Sequence, residues 1–466
     1  MDIRYKKLGK NTIVVFIGNA GSRIISFLML PFYTHYLSKA EYGTYDLINT
    51  YSTILLAVFT CCIADSIFIF PKDKPDHQKT QYFTSGLIFA ITSLLFSCVL
   101  AVCLKKLDVS DFITTNIWWL IGITYSFFLL SFIQQFTRSI DKMIIYSMTG
   151  IVYVSSIAAL SFLLLPTYKL DGYLIALILA SVISFLFAFL ASKSYKFFKI
   201  DCFDKDSLWE LLKYGIPLIP NSIMWWLVDG LNRPIMDSVL GIESIGIYAV
   251  ANKFPAILTV LFTIFSNAWT ISMLEEFGKP DFNRFFNKTM RILFFVVSMG
   301  SAILIVASKL LVSIFASSEF FDAWKYVPVL TLGVLFQNIS GLIGGVFAAE
   351  KKSKYFFYSS IWGAASSVIL TLLFVKPFGL MGVCLSVLCS FLCMGLIRLM
   401  YAWKYINMFN FYYYGWIILS LSFLTVFYIM DINYITTIMA FIISISIILF
   451  VGKQEVNGLL QLIKRK

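Results

Sequence analysis

Charge is scarce in this chain. Asp, Glu, Lys and Arg make up 13% of its 466 residues and hydrophobic residues 59%, whereas soluble globular domains carry about 25% charged residues. Long polar stretches that could house a separate soluble domain are missing too. So is the apolar/polar alternation of a membrane barrel, because the apolar runs are continuous and long. Histidine is limited to His35 and His77, both near the ends of apolar runs. No loop joins carboxylates to a histidine, so a membrane polymerase or ligase, which needs a sizeable external loop for reacting sugars, is the weakest class. The chain reads as a non-enzyme. None of the eight cysteines falls in a CxxC pair. They read as small buried apolar residues, with no metal site, disulfide or cofactor expected. No small-residue cleavage site follows the first apolar run, so MDIRYKKLGK reads as the start of a retained first helix.

What is present is an all-α polytopic membrane protein. A helix needs about 20 apolar residues to span a bilayer. Fourteen such segments are predicted, roughly 11–36, 43–70, 82–104, 114–136, 144–166, 171–192, 208–235, 244–271, 286–315, 324–349, 355–375, 379–403, 410–430 and 432–452. With both termini in the cytoplasm, cytoplasmic segments hold 27 of the 37 basic residues and external segments hold eight. Cytoplasmic loops are the basic ones. The net charge of +12 is accounted for in this way, and no nucleic-acid partner is expected.

The chain repeats itself. Residues 31–45 and 234–248 share P-x5-L-x5-G-x-Y without a gap. Pro31, Leu37, Gly43 and Tyr45 match Pro234, Leu240, Gly246 and Tyr248. Six spans separate the copies, so both have the same membrane orientation, as in a parallel repeat. Pro would end or bend a helix, Gly would permit a tight approach and Tyr would anchor at the interface. The expected domains are an N-lobe over 1–200 and a C-lobe over 201–404, two parallel six-helix lobes around a central cavity. Residues 405–466 would add two helices and a cytoplasmic tail.

Polar groups inside the spans mark candidate sites. Asn19, Ser22, Arg23 and Ser26 fall on one face of the first helix. A guanidinium at bilayer depth either lines a wet cavity or pairs with a carboxylate. Asp65 is a candidate partner for it, or a carboxylate for cation coupling. The seventh span carries Asp229 and Arg233 at i, i+4, the favourable order for pairing. The eighth carries Asn252 and Lys253. Basic groups from the first and eighth spans would be satisfied by a buried anion, such as a pyrophosphate. Arg138 shares a stripe with Ser131 and Gln135. Gly341 and Gly345 form a G-x-x-x-G, read as a close-packing face. The linker 193–213 reads as interfacial and amphipathic. Its Asp204-Lys205-Asp206 matches the spacing of a metal-bound nucleotide-sugar site, but reads first as a solvated loop or helix cap.

The stretches LPFYTHYLSKAEYGTYDLINTYSTIL, KYGIPLIPNSIMWWLVDGLNRPIM and IESIGIYAVANKF resemble the Wzx-like polysaccharide flippases, the O-antigen branch of the multidrug/oligosaccharidyl-lipid/polysaccharide exporter (MOP) superfamily. The resemblance covers the whole chain. It implies a bacterial cytoplasmic-membrane protein that flips an undecaprenyl-pyrophosphate-linked oligosaccharide to the external leaflet. It also implies alternating access between the lobes, an H+ or Na+ gradient as driving force, and a monomer serving polysaccharide polymerase and assembly proteins in lipopolysaccharide-type pathways. Members typically carry an Arg in the second helix, where Ile67, Phe68, Ile69 and Phe70 stand here. A lipid II flippase and a drug/cation antiporter of the same superfamily are the alternatives.

Overall fold

The computed structural model describes residues 21–107, 110–350, 352–406 and 411–455. Among the described residues all regular structure is helical. Asn19, with the start of the first span, lies outside them, as does the chain beyond residue 455.

Among the described residues eight helices are long and apolar enough to cross a membrane, or nine if the bent pair Lys39–Phe59 and Ile63–Ile69 counts as one span. Two of the eight are not single straight rods. Met143–Ala191 has 49 residues and Ser353–Ala402 has 50. At 1.5 Å per residue each would run roughly 70 Å, more than twice the hydrocarbon core of a bilayer. Each breaks near its middle, at Lys169 (φ 45°, ψ −123°) and at Gly379 (φ 57°, ψ −138°). Three residues later, a Cβ at Gly172 would stand 2.5 Å from the Leu164 carbonyl oxygen, and one at Gly382 2.1 Å from that of Phe374. Only glycine lets the backbone pass that close.

These pairs share one offset, 210 (379 less 169). The same offset relates two identical corners. Lys142 N donates to Thr137 O and Lys352 N to Phe347 O, both at 2.9 Å. The chain thus repeats a second time in backbone geometry, across the spans that the P-x5-L-x5-G-x-Y repeat does not reach.

That first repeat is visible as helix breaks. Residues 21–28 are helical and a turn at Met29 precedes Leu30–Tyr36, which holds Pro31. A turn at 230–231 precedes Asn232–Leu240, which holds Pro234. In both copies the proline cannot donate to the carbonyl four residues back, and its ring crowds that carbonyl. Gly43 and Gly246 are buried in the helices that follow. Tyr248 is not an interfacial anchor, which corrects the sequence reading for that copy. Tyr248 is 1% exposed and accepts a hydrogen bond from Asn232 Nδ2 at 3.0 Å. Tyr45 packs on Tyr173, ring centroids 4.7 Å apart. A phenol turned inward with a partner packs as a core side chain.

The chain forms two compact units, Met1–Trp226 and Leu227–Lys466. In the first, the beginning of the seventh span docks on the second. Ser66 Oγ donates to Leu211 O at 2.8 Å, Trp226 Nε1 to Thr50 O at 2.8 Å, and Gly215 lies against the Cys61 carbonyl. Its core is a phenylalanine cluster, Phe83, Phe128, Phe132 and Phe136. The linker is pinned to the Asp76–Leu107 helix, since Ser85 Oγ donates to Asp204 O and accepts from Asp204 N. Asp204 caps Lys205–Gly215, accepting from Ser207 N at 2.9 Å and Ser207 Oγ at 2.6 Å. The D-x-D is thus a helix cap. Those bonds from Ser207 hold the Asp204 carboxyl below its ordinary pKa.

In the second unit the last two helices are fastened to Phe282–Phe315. Arg291 Nε meets Glu455 Oε1 at 2.8 Å, Lys309 Nζ meets Asp431 Oδ2 at 2.5 Å, and Tyr428 OH donates to Val306 O at 3.1 Å. Gly345 makes room for Trp269, whose Nε1 donates to Leu342 O at 3.2 Å. The G-x-x-x-G is a packing face.

Candidate functional site

In the first unit, Arg23 lies in the helical stretch 21–28 and is exposed. Among the described residues no hydrogen bond or ion pair reaches it. The polar face around it divides. Ser26 is exposed, and its hydroxyl donates to Ser22 O at 3.0 Å. Ser22 instead faces neighbouring helices, and a Cβ at Gly150 would lie 3.4 Å from its Oγ. Asp65 is exposed in Ile63–Ile69, just past a break where Cys61 and Cys62 both take left-handed backbone (φ 50° and 52°). Its amide donates to Cys62 O at 3.0 Å, but its carboxylate makes no hydrogen bond or ion pair among the described residues. Arg23 and Asp65 are therefore not brought together.

In the second unit, Asp229 is exposed at the end of Ile219–Asp229. Arg233 is half-buried, donating to the Asp229 main-chain carbonyl and to Asn232 Oδ1 at 3.3 Å, with its guanidinium carbon 5.2 Å from the Tyr248 ring centroid. The i, i+4 spacing thus delivers the guanidinium to a carbonyl and a ring. Asn252 and Lys253 are half-buried at the end of Ile242–Lys253, where Pro255 interrupts the span. Neither makes a hydrogen bond or ion pair among the described residues. A lysine bare at a helix break, where proline has removed a backbone donor, can hold an anion as a point charge.

Two arginines carry more than sequence reasoning assigned them. Arg138 lies 4.1 Å over the Phe68 ring. A guanidinium from the fourth span therefore covers the stretch of the second span that lacks an arginine. Arg398, which falls within the predicted span 379–403, is 1% exposed. Its Nη1 donates to Ser340 O at 2.9 Å, its Nε to Ser359 Oγ at 3.1 Å and its Nη2 to Ser360 Oγ at 3.4 Å. It lies 4.2 Å over Phe356, with Gly344 leaving it room. The serine pair Ser359-Ser360 was the sequence signal that could have found it. Among the described residues no group of three His, Cys, Asp or Glu side chains could hold a metal ion.

A family model described as polysaccharide biosynthesis protein matches residues 8–273, and one described as MatE matches residues 234–374. No curated protein matches the sequence. Several solved structures share the fold. The lipid II flippase MurJ, in an inward closed conformation, superposes with a TM-score of 0.68 at 16% identity, over 97% of this chain and 99% of that one. An inward-facing multidrug resistance MATE family transporter of the MOP superfamily gives 0.67 at 12% identity, over 82% and 94%. A MOP superfamily transporter from Pyrococcus furiosus gives 0.58 at 12%, over 86% and 95%.

Proposed function

Since this chain belongs to the polysaccharide biosynthesis protein family, a MOP superfamily flippase, we propose that it moves a polyprenyl-pyrophosphate-linked oligosaccharide from the cytoplasmic to the external leaflet of a bacterial cytoplasmic membrane, by alternating access and without catalysis. The observation that carries this reading is Arg23, a cation in the first predicted span, exposed and without a side-chain partner among the described residues. A charge at that depth costs about 2.5–3.5 kcal/mol on insertion scales unless water or a ligand relieves it. A pyrophosphate head relieves it with charge-assisted hydrogen bonds, while the polyprenyl tail stays in lipid. In the second unit, Lys253 is a separate candidate cation for an anionic group, and in the first Asp65 is the carboxylate through which H+ or Na+ would couple.

Arg23→Ala tests this. It should abolish export of the glycan while the amount of protein in the membrane is unchanged. The double variant Arg23→Ala/Asp65→Ala should stay inactive. Recovery of export in the double variant would mean the two charges only neutralise each other, and would remove Arg23 from the substrate site. The close superposition with a lipid II flippase favours one further reading, in which the sugar carried is a peptidoglycan precursor. Rescue of a strain depleted of its own lipid II flippase would select that reading. Failure there, with restored surface glycan in a strain lacking its oligosaccharide flippase, would select the first.

A further inference from the structure

The corner formed by Lys142 and Lys193 is unlike its repeat-related counterpart. Lys142 stands immediately before Met143–Ala191, and its ammonium donates to the Ser192 carbonyl just beyond the far end of that helix pair. This bond sets it beside Lys193, held in left-handed backbone at φ 58°, and near Lys196. Burial, and then repulsion from Lys193 and Lys196, push the Lys142 pKa down. Lys193 and Lys196 are exposed. Among the described residues none of the three has a carboxylate within ion-pair distance. Asp141, adjacent in sequence, is exposed.

In the second unit the equivalent corner carries an acid, and its lysines are held by it and by phenols. Lys352 pairs with Glu350 at 2.5 Å and donates to Tyr405 OH at 3.3 Å, and Lys404 donates to Tyr355 OH at 3.2 Å. Hydrogen bonds to Glu350 raise the Lys352 pKa, and those to Tyr405 and Tyr355 raise that of Lys404. Convergent lysines without an acid are an anion site in waiting. Beside the first corner, large apolar side chains are exposed on both helices. Ile144 and Met148 are 53% and 46% exposed, Leu186 and Leu190 47% and 62%, and Ile200 of the linker 70%. A ligand matching this surface is anionic at one end and aliphatic along the rest.

We propose that Lys142, Lys193 and Lys196 bind the phosphate headgroup of an anionic phospholipid, whose acyl chains run along the face made by Ile144, Met148, Leu186 and Leu190. This is a site for a resident bilayer lipid and is independent of the transported substrate. Basic pockets between membrane helices hold such headgroups.

Native mass spectrometry of the full chain, titrated with phosphatidylglycerol and separately with phosphatidylcholine, tests it. Wild type should retain phosphatidylglycerol in preference, and Lys142→Gln/Lys193→Gln/Lys196→Gln should weaken that binding by about tenfold or more. Lys352→Gln should leave it within about twofold, because Glu350 already holds that ammonium. Lys142→Arg/Lys193→Arg/Lys196→Arg should bind as wild type does. If the Gln triple does not fold, the exposed pair Lys193→Gln/Lys196→Gln supplies the readout. Undiminished phosphatidylglycerol binding in that pair or in the triple overturns the proposal. So does displacement of the lipid by excess inorganic phosphate, which would make this a free-phosphate site.

Discussion

The two units share spans, breaks and corners, yet they treat charge differently. In the first, Arg23 and Asp65 are exposed and bare among the described residues, and the lysines around Lys142 repel one another. In the second, Lys253 is the bare exception, while Arg398 is wrapped in serine oxygens and an aromatic face, Arg291 is joined to Glu455, and Lys309 to Asp431. A duplicated architecture therefore fixes where helices bend but not what their charges do. A charge satisfied by protein holds the fold together. One left bare inside a membrane is available to a ligand or an ion.

Four experiments sharpen or break this contrast. Arg23→Ala should have the largest functional effect, reducing glycan export by at least about 100-fold, the loss of some 2.7 kcal/mol of substrate interaction, with the amount of folded protein unchanged. Arg398→Ala should do the reverse. It strands the Ser340 carbonyl and opens a cavity, so a loss of about 3 kcal/mol in denaturant unfolding is expected. Any folded variant should still transport. An Arg398→Ala protein that is stable but inactive would undo the division between the units.

Lys253→Gln should lower export by about tenfold at normal expression, and Lys253→Arg should retain part of it, since a fork replaces a point charge. Full activity in Lys253→Gln would return that residue to the structural charges. The smallest effect is at the linker. Asp204→Ala removes a helix cap and should cost about 1 kcal/mol. The Asp204 pKa is lower folded than unfolded. Its stabilisation is therefore present above the unfolded carboxylate pKa and fades as pH falls through the folded value. The stability gap between wild type and Asp204→Ala should accordingly close in acid, and a gap that persists there would show that the cap is not ionic.

Much of the fold was legible because apolar runs and prolines act locally. The spans over 82–104, 114–136 and 286–315 appear as continuous helices, and Pro31, Pro234 and Pro255 each accompany a break. The break at Cys61 and Cys62 was not legible, because neither residue type favours left-handed backbone and tertiary docking of Gly215 imposes it. The second repeat was hidden for a similar reason. Its breaks lie at Lys169 and Gly379, which share no letter, and its identities, such as Gly172 with Gly382, are too scattered to mark it. Of the candidate site, the positions of charges could be read, but not their partners. The burial of Arg398 could not be read because it depends on Gly344 and Phe356, distant in sequence. Arg233 looked like half of an ion pair because the break after Asp229 is invisible to a helical wheel.

The Trp226 bond to Thr50 has a consequence for how the protein is made. The first unit is closed by residues that the ribosome supplies only after the linker, since Leu211, Gly215 and Trp226 complete the surface begun by Thr50, Cys61 and Ser66. A nascent chain released at residue 200 would lack that closing piece, whereas one released past residue 226 carries every partner of these bonds. Co-expressed halves should therefore reassemble when the gene is cut after the tryptophan, and fail when it is cut within the linker.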